Sequence, residues 1–551
     1  MAIAAAISGI VSILAGYQVL QVIQGARTLQ QGANAAQAAA QSFDPDQVAA
    51  AITDMQAAAD DLSARTASPT WRVLQALPIV GQGAQALAAT AQATGEVAEA
   101  AQPLLQVVKA HESSIDKAIA VLQSRDEVDR LATAVATANR RLADYRDLNL
   151  PMGLGSQLTT ATDALEQLAG ATAAMQDAVG PIAAMAGLDG PKTWLVMAQN
   201  PAEARGSGGL FNAYLIVRVD RGRVAIVEAG SRKKLDREFP RDEQIPYLDT
   251  IDLDTANSWG PVLGEWASFN LPRDFPTVAT LAEAGMAKRG TPVDGVIAID
   301  PTVVQAILAG TGPVEHQGVT IDGSNAAEFF TKGLYEDFPG FNSVRKKDRL
   351  AMGLVYATVD AALKRPLDLG SLWPQISTAI ADGHLKVWTK QPATQAWIQS
   401  TPLAGSLRSK ADEVVISTNN GTGGKLDPYL SISTMTDAAQ CASARRVTTK
   451  IRMENDVPPD LPDYVDVTLD QDGQPDPSIP KGHTLTYLTL YPPTGWELAH
   501  ASVGDREAEP WDMVEAGRQG WLIPVTLLRG EVVEIAVDWR VETCPKGPPA
   551  A

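Results

Sequence analysis

The chain has 551 residues, more than one ordinary hydrophobic core can serve, so two to four domains are expected. With 45% hydrophobic and 20% charged residues it is neither disordered nor collagen-like. Its net charge of -19 argues against a nucleic-acid partner, which calls for a basic footprint.

The first predicted element runs from Ala2 to Ile23 and carries no charged side chain; Arg27 is the first. About 20 apolar residues rising ~1.5 Å each cross a hydrocarbon layer of about 30 Å, so residues 1–26 are expected to form a transmembrane anchor. A cleaved signal peptide fits less well, because no basic stretch precedes the run. An Ala-rich buried helix is the other alternative. Arg27 alone would put the C-terminal side in the cytoplasm. The remaining chain favours the opposite: single-pass attachment to a cell membrane, with the bulk extracytoplasmic.

Residues 27–186 are rich in Ala, Gln, Leu and Val, with apolar positions at helical spacing, such as Ile115, Ile119 and Leu122. Pro69, Pro103, Pro151 and Pro181 punctuate the run, and several long helices in a stalk or bundle are expected. From 187 to 413 the texture is that of an α/β sandwich core. Thr193–Ala198 reads as a buried strand and Gln199–Gly209 as a loop. Asn212–Val219 and Arg223–Glu228 read as a hairpin around Asp220-Arg221-Gly222. Val293–Asp300 is a further buried strand, and Asp300-Pro301 opens a helix as cap and first residue. Asn325–Leu334 and Lys347–Leu363 are predicted helices.

Residues 414–551 read as an immunoglobulin-like β-sandwich. Its predicted strands are Leu430–Met435, Arg446–Met453, Tyr464–Leu469, Thr484–Tyr491, Gly520–Val525 and Val532–Val541. The only cysteines, Cys441 and Cys544, both fall in this module. One disulfide is the favoured reading, two free thiols the alternative. The whole is thus expected to be a multidomain α+β protein: transmembrane helix, helical stalk, α/β core and C-terminal β-sandwich.

No nucleophile elbow, P-loop or zinc-protease motif occurs, and two cysteines with five histidines make no zinc pattern, so no metal site is assigned and no cofactor is named. Three clusters in the core could carry chemistry. The first follows the central strand and holds Glu203, Arg205, Gly208 and Gly209. Ligands in α/β sheets favour strand carboxyl ends, glycines let a backbone approach closely, and an arginine can grip phosphate or carboxylate. The second is Arg232-Lys233, at the end of the hairpin. The third is Arg345-Lys346-Lys347-Asp348-Arg349, just before an amphipathic helix, with Arg345, Asp348 and Arg349 as its candidate site residues. Together they are read as a candidate site for a pyrophosphate or anionic glycan; solvated loop charges are the alternative.

TWRVLQALPIVG (70–81), TWLVMAQNPAEARGSGGLFNAYLIV (193–217), FNLPRDFP (269–276), VDGVIAIDPTVVQAILAGTGPVE (293–315) and STNNGTGGKLDPYL (417–430) resemble the bacterial domain-of-unknown-function family 4012. That resemblance implies an actinobacterial cell-envelope protein working on surface polysaccharide. The core order is more distantly similar to the LytR-CpsA-Psr phosphotransferases, although Ser207-Gly208 stands where their metal-binding aspartate is expected. Three readings of function stay open. In the first the protein binds a polyprenyl-phosphate-linked or anionic cell-wall glycan. In the second it transfers a glycopolymer, with Glu203 or Asp348 as base or metal ligand. In the third it is a structural surface protein contacting other envelope proteins.

Overall fold

The computed structural model describes residues 45–77, 81–146, 154–338, 344–410, 412–438, 441, 445–469 and 474–542. The chain divides into two compact units, 1–190 and 191–551. In the first, helices Pro45–Thr66, Pro69–Gln75, Gly81–Lys109, Ser114–Gln123, Arg125–Ala143 and Leu154–Met185 follow one another. Neighbours pack through small side chains: Ala89, Ala93, Val135 and Ala138 are buried between two of the long helices, with Leu142 filling the end. Serines open the short helices, where Ser68 accepts from the Trp71 N–H and Ser113 from the Asp116 N–H. Pro103 and Pro181 do not end helices as expected but lie within them. Packing of the flanking turns holds each helix across the missing N–H.

The expected transmembrane anchor at residues 1–26 lies outside the described residues. Among the described residues no helix is long and apolar enough to cross a membrane. Leu154–Met185 has the length, 32 residues, but interleaves Thr, Gln, Asp and Glu with Ala and Gly. The fold class is corrected accordingly: a helical unit and a mixed α/β unit with several sheets, and no membrane-spanning helix among the described residues.

The second unit begins with β1 (Lys192–Arg205), β2 (Gly208–Asp220), β3 (Arg223–Ser231) and β4 (Gly295–Ile299). The short hairpin β5 (Val314–His316) and β6 (Val319–Ile321) follows, then β7 (Lys386–Thr389). The central sheet has the order β3-β2-β1-β4-β7, with β1 parallel to β4 and antiparallel to β2. Side chains alternate along β1 as a strand requires. Leu195 and Met197 enter a core with Phe211, Trp266, Phe269 and Phe275, while Val196 and Ala198 point to the other face. Trp266 and Phe269 meet edge-on, their centroids 5.4 Å apart.

Beyond Asn200 the pairing becomes irregular, but β1 resumes and runs to Arg205. The expected loop Gln199–Gly209 is therefore mostly strand, with only Gly206-Ser207 turning. Pro201, which has no N–H to give a ladder, lies inside the irregularity.

The remaining strands are β8 (Val415–Asn420), β9 (Leu430–Asp437), β10 (Arg446–Asn455), β11 (Thr484–Tyr491), β12 (Trp496–Val503), β13 (Arg506–Glu507), β14 (Trp511–Glu515), β15 (Arg518–Leu527) and β16 (Val532–Val541). They form two sheets, β13-β12-β16-β10-β9 and β14-β15-β11-β8. Both contribute to one core, in which Ile451, Leu488, Ile523 and Trp539 are buried. Tyr464–Leu469 is not the strand expected. The N–H groups of Val465 and Asp466 both turn back to the Pro462 carbonyl, and only Leu469 makes a bridge. Cys441 is buried in the sandwich core and is not a free thiol. Its expected partner Cys544 lies outside the described residues, so these show no cysteine pair.

Glu515 links the sandwich to the α/β part. It accepts from the Asp274 N–H and the Tyr491 hydroxyl, both at 2.6 Å, and from Trp259 Nε1 at 3.2 Å. Burial pushes its carboxyl up to about 7. A carboxyl raised in the folded state stabilises below its unfolded value and loses that contribution as pH climbs through its folded value. Stability is thus expected to fall by roughly 3 kcal/mol between about pH 4.5 and 7 from this group alone. Urea titrations of wild type and Glu515→Gln across that range should show a flatter profile in the variant.

Candidate functional site

One cavity of about 510 Å³ opens beside β1, β2 and helix Val344–Lys364 in the second unit. Two of these elements grade from apolar to charged along it. On β1, Val196 and Ala198 give way to Asn200, then Glu203 and Arg205. On the helix, Lys347 and Asp348 stand at the end of the first turn, and Ala351, Met352 and Val355 follow. Val355 lies eight residues beyond Lys347, about 12 Å at helical rise. Val304, Phe330 and Leu334 complete the apolar walls.

The charged end gathers residues distant in the chain. Glu203 receives Arg205 Nη2 at 2.6 Å and Lys425 Nζ on its other oxygen. Burial would raise this carboxyl, but Lys425 and Arg205 together hold it below its ordinary range. Asp427 fixes the same corner, accepting from the Ala204 N–H at 2.9 Å and from Asn420 Nδ2 at 2.6 Å. Burial pushes its carboxyl up to about 6. Arg232 pairs with Asp236 at 2.5 Å, and Lys233 with Asp348 at 3.5 Å. Arg205 and Arg232 each keep a buried Nε–H without an acceptor. Lys347 Nζ lies 4.5 Å from the Tyr335 ring centroid, 4.4 Å from that of Tyr464 and 3.0 Å from the Tyr464 hydroxyl.

Residues 189–335 match the family model described as Protein of unknown function (DUF4012). The match is confined to this segment. No curated protein and no solved structure matches the chain. The DUF4012 segment contains the cavity's β1 and β2 walls with Arg205 and Arg232. Lys347, Asp348, Lys425 and Tyr464 come from outside it.

Of the expected site residues, Glu203, Arg205, Arg232, Lys233 and Asp348 line the cavity. Arg345 and Arg349, two residues either side of Lys347, are exposed and do not line it. Gly208 and Gly209 crowd their own chain instead of leaving room for a ligand. A β-carbon at Gly209 would stand 2.1 Å from the Asn200 carbonyl carbon, and one at Gly208 (φ +138°) would stand 2.6 Å from Gln199 Oε1. Gly209→Ala is expected to cost about 1–3 kcal/mol by overpacking, read as a lowered urea midpoint. Glu203 is a poor candidate base, since two cations stabilise its charged form, and the Asp348 carboxylate is engaged by Lys233. Among the described residues, no group of three acidic, His or Cys side chains could hold a metal ion.

Lys425, Tyr335 and Tyr464 were not singled out from sequence, and Lys347 was read only as part of the charged run 345–349. Lys347 had a usable signal: it falls on the apolar stripe continued by Leu350, Leu354, Thr358 and Ala361, all buried. Lys425 lies in the STNNGTGGKLDPYL stretch that carries part of the family resemblance.

Proposed function

We propose that this cavity binds a lipid phosphate, the apolar walls taking the chain and the Arg205–Arg232 end taking the head. The observation that carries this is the pair of buried guanidinium Nε–H groups without acceptors, at the charged end of an otherwise largely apolar cavity. Buried donors are ordinarily satisfied, and a phosphate at this end of the cavity would bring acceptor oxygens to the two arginine side chains. A polyprenyl-phosphate-linked or anionic glycan of the cell envelope is the occupant this reading favours. What supports the envelope setting is the family resemblance.

Calorimetric titration of the full chain tests it with three probes. Dodecyl phosphate should bind at least tenfold more tightly than dodecanol, which lacks the head, and than inorganic phosphate, which lacks the tail. Arg232→Gln should weaken dodecyl phosphate by about tenfold, the size of one charged hydrogen bond. Equal affinity for all three probes, or none, would contradict the proposal.

A further inference from the structure

Lys347 differs from the other cations around the cavity. Arg205, Arg232, Lys233, Arg241 and Lys425 each pair with a carboxylate. Lys347 has no carboxylate partner among the described residues, although it is only 6% exposed. Its Nζ lies 4.5 Å from the Tyr335 ring centroid and 4.4 Å from that of Tyr464. Two ring faces attract an ammonium but do not neutralise it, and a buried charge without a counter-ion tends to shed its proton.

The ionisable groups facing it come from several elements. Asp348, on its own helix, is tied to Lys233 after β3; Glu203, on β1, is tied to Arg205 and to Lys425 after β8. The Tyr335 and Tyr464 hydroxyls are both pushed up, chiefly by burial. Burial, with repulsion from Lys425 and Lys233, brings the Lys347 amine down to about 8, against the pull of Asp348 and Glu203.

We infer that Lys347 is the proton-linked member of the anion subsite: a phosphate entering beside it supplies the missing counter-charge, and the protein takes up a proton at this amine on binding. This rests on the cavity's reading as a lipid-phosphate site and adds a pH dependence to it. Below about pH 8 the amine already holds its proton. Above that the proton must come from solution, so affinity falls, by at most tenfold per pH unit for one proton. An alkyl phosphate has lost its second proton near pH ~6, so its charge is constant in this window.

The test is calorimetric binding of dodecyl phosphate to the full chain at pH 8.0 and 9.0, repeated with inorganic phosphate. Wild type should lose about fivefold in affinity over that unit, for both probes. Lys347→Arg, permanently charged, should bind with a flat profile; Lys347→Met should bind more weakly at pH 8.0, also with a flat profile. Wild-type titrations in buffers of different ionisation enthalpy give the proton count directly and need no variant to fold. A flat wild-type profile with binding retained would overturn the proton linkage and leave the lipid-phosphate reading standing. A fall that persists in Lys347→Arg would assign the proton elsewhere and overturn it too. Absence of binding at both pH values would sink both.

Discussion

Glu203→Ala is expected to cost the second unit about 3–5 kcal/mol, the usual loss when one partner of a buried ion pair is removed. Glu203 is the shared counter-ion of Arg205 and Lys425, and all three side chains are nearly buried, at 8%, 11% and 10% exposure. Its loss strands two cations in a low-dielectric corner, next to a Lys347 that has no carboxylate to share. Glu203→Gln keeps the shape and loses the charge, so it should behave similarly. Removing a cation as well, in Glu203→Gln with Lys425→Met, should recover part of the loss, because the two sites are coupled. The measurement is urea unfolding followed by tryptophan fluorescence, which reports this unit, since Trp71 is the only tryptophan before residue 191. A loss under about 1 kcal/mol would show that the cluster is hydrated rather than buried.

The second large effect concerns tail length. If the apolar walls take the chain of a lipid phosphate, each added methylene is buried and contributes about 0.8 kcal/mol, or roughly fourfold in affinity. Affinity of butyl, hexyl, octyl and decyl phosphate should therefore rise by more than tenfold per step until the cavity is filled. Ala351→Trp places a large ring on the helix face that lines the apolar walls. It should leave butyl phosphate nearly unchanged and flatten the rise for longer tails, a loss of about a hundredfold or more at decyl phosphate. Overpacking should cost about 1–3 kcal/mol in stability, which urea unfolding separates from the binding effect. A series with no dependence on tail length would remove the apolar cavity from the function.

Local signals in the sequence carried the parts of the site that depend on neighbours. Asp300-Pro301 opens its helix as cap and first residue, with the Asp300 carboxylate accepting from the Thr302 N–H at 2.8 Å. The β2–β3 hairpin closes at Arg221-Gly222, both at positive φ. That Arg205 and Arg232 line one cavity follows from the meander β1-β2-β3, which carries one at the end of β1 and the other just after β3. The glycines misled: in Gly206-Ser207-Gly208-Gly209 the small residues serve close chain packing, and sequence alone does not say which neighbour a glycine approaches. Lys425 reaches Glu203 across 222 residues of chain, a meeting set by tertiary packing and invisible to local pattern. Tyr464 was misplaced because its alternating neighbours mimic a strand, whereas Pro462 turns the backbone there and leaves the ring to cover Lys347.

The most direct measurement is an experimental structure of the full chain with decyl phosphate. The phosphate should lie within hydrogen-bond reach of Arg205 Nε, Arg232 Nε and Lys347 Nζ, with the alkyl chain running past Ala351 toward Val355 and Val304. Phosphate bound elsewhere, or a chain directed into solvent while the cavity stays empty, would contradict the assignment of this cavity as a lipid-phosphate site.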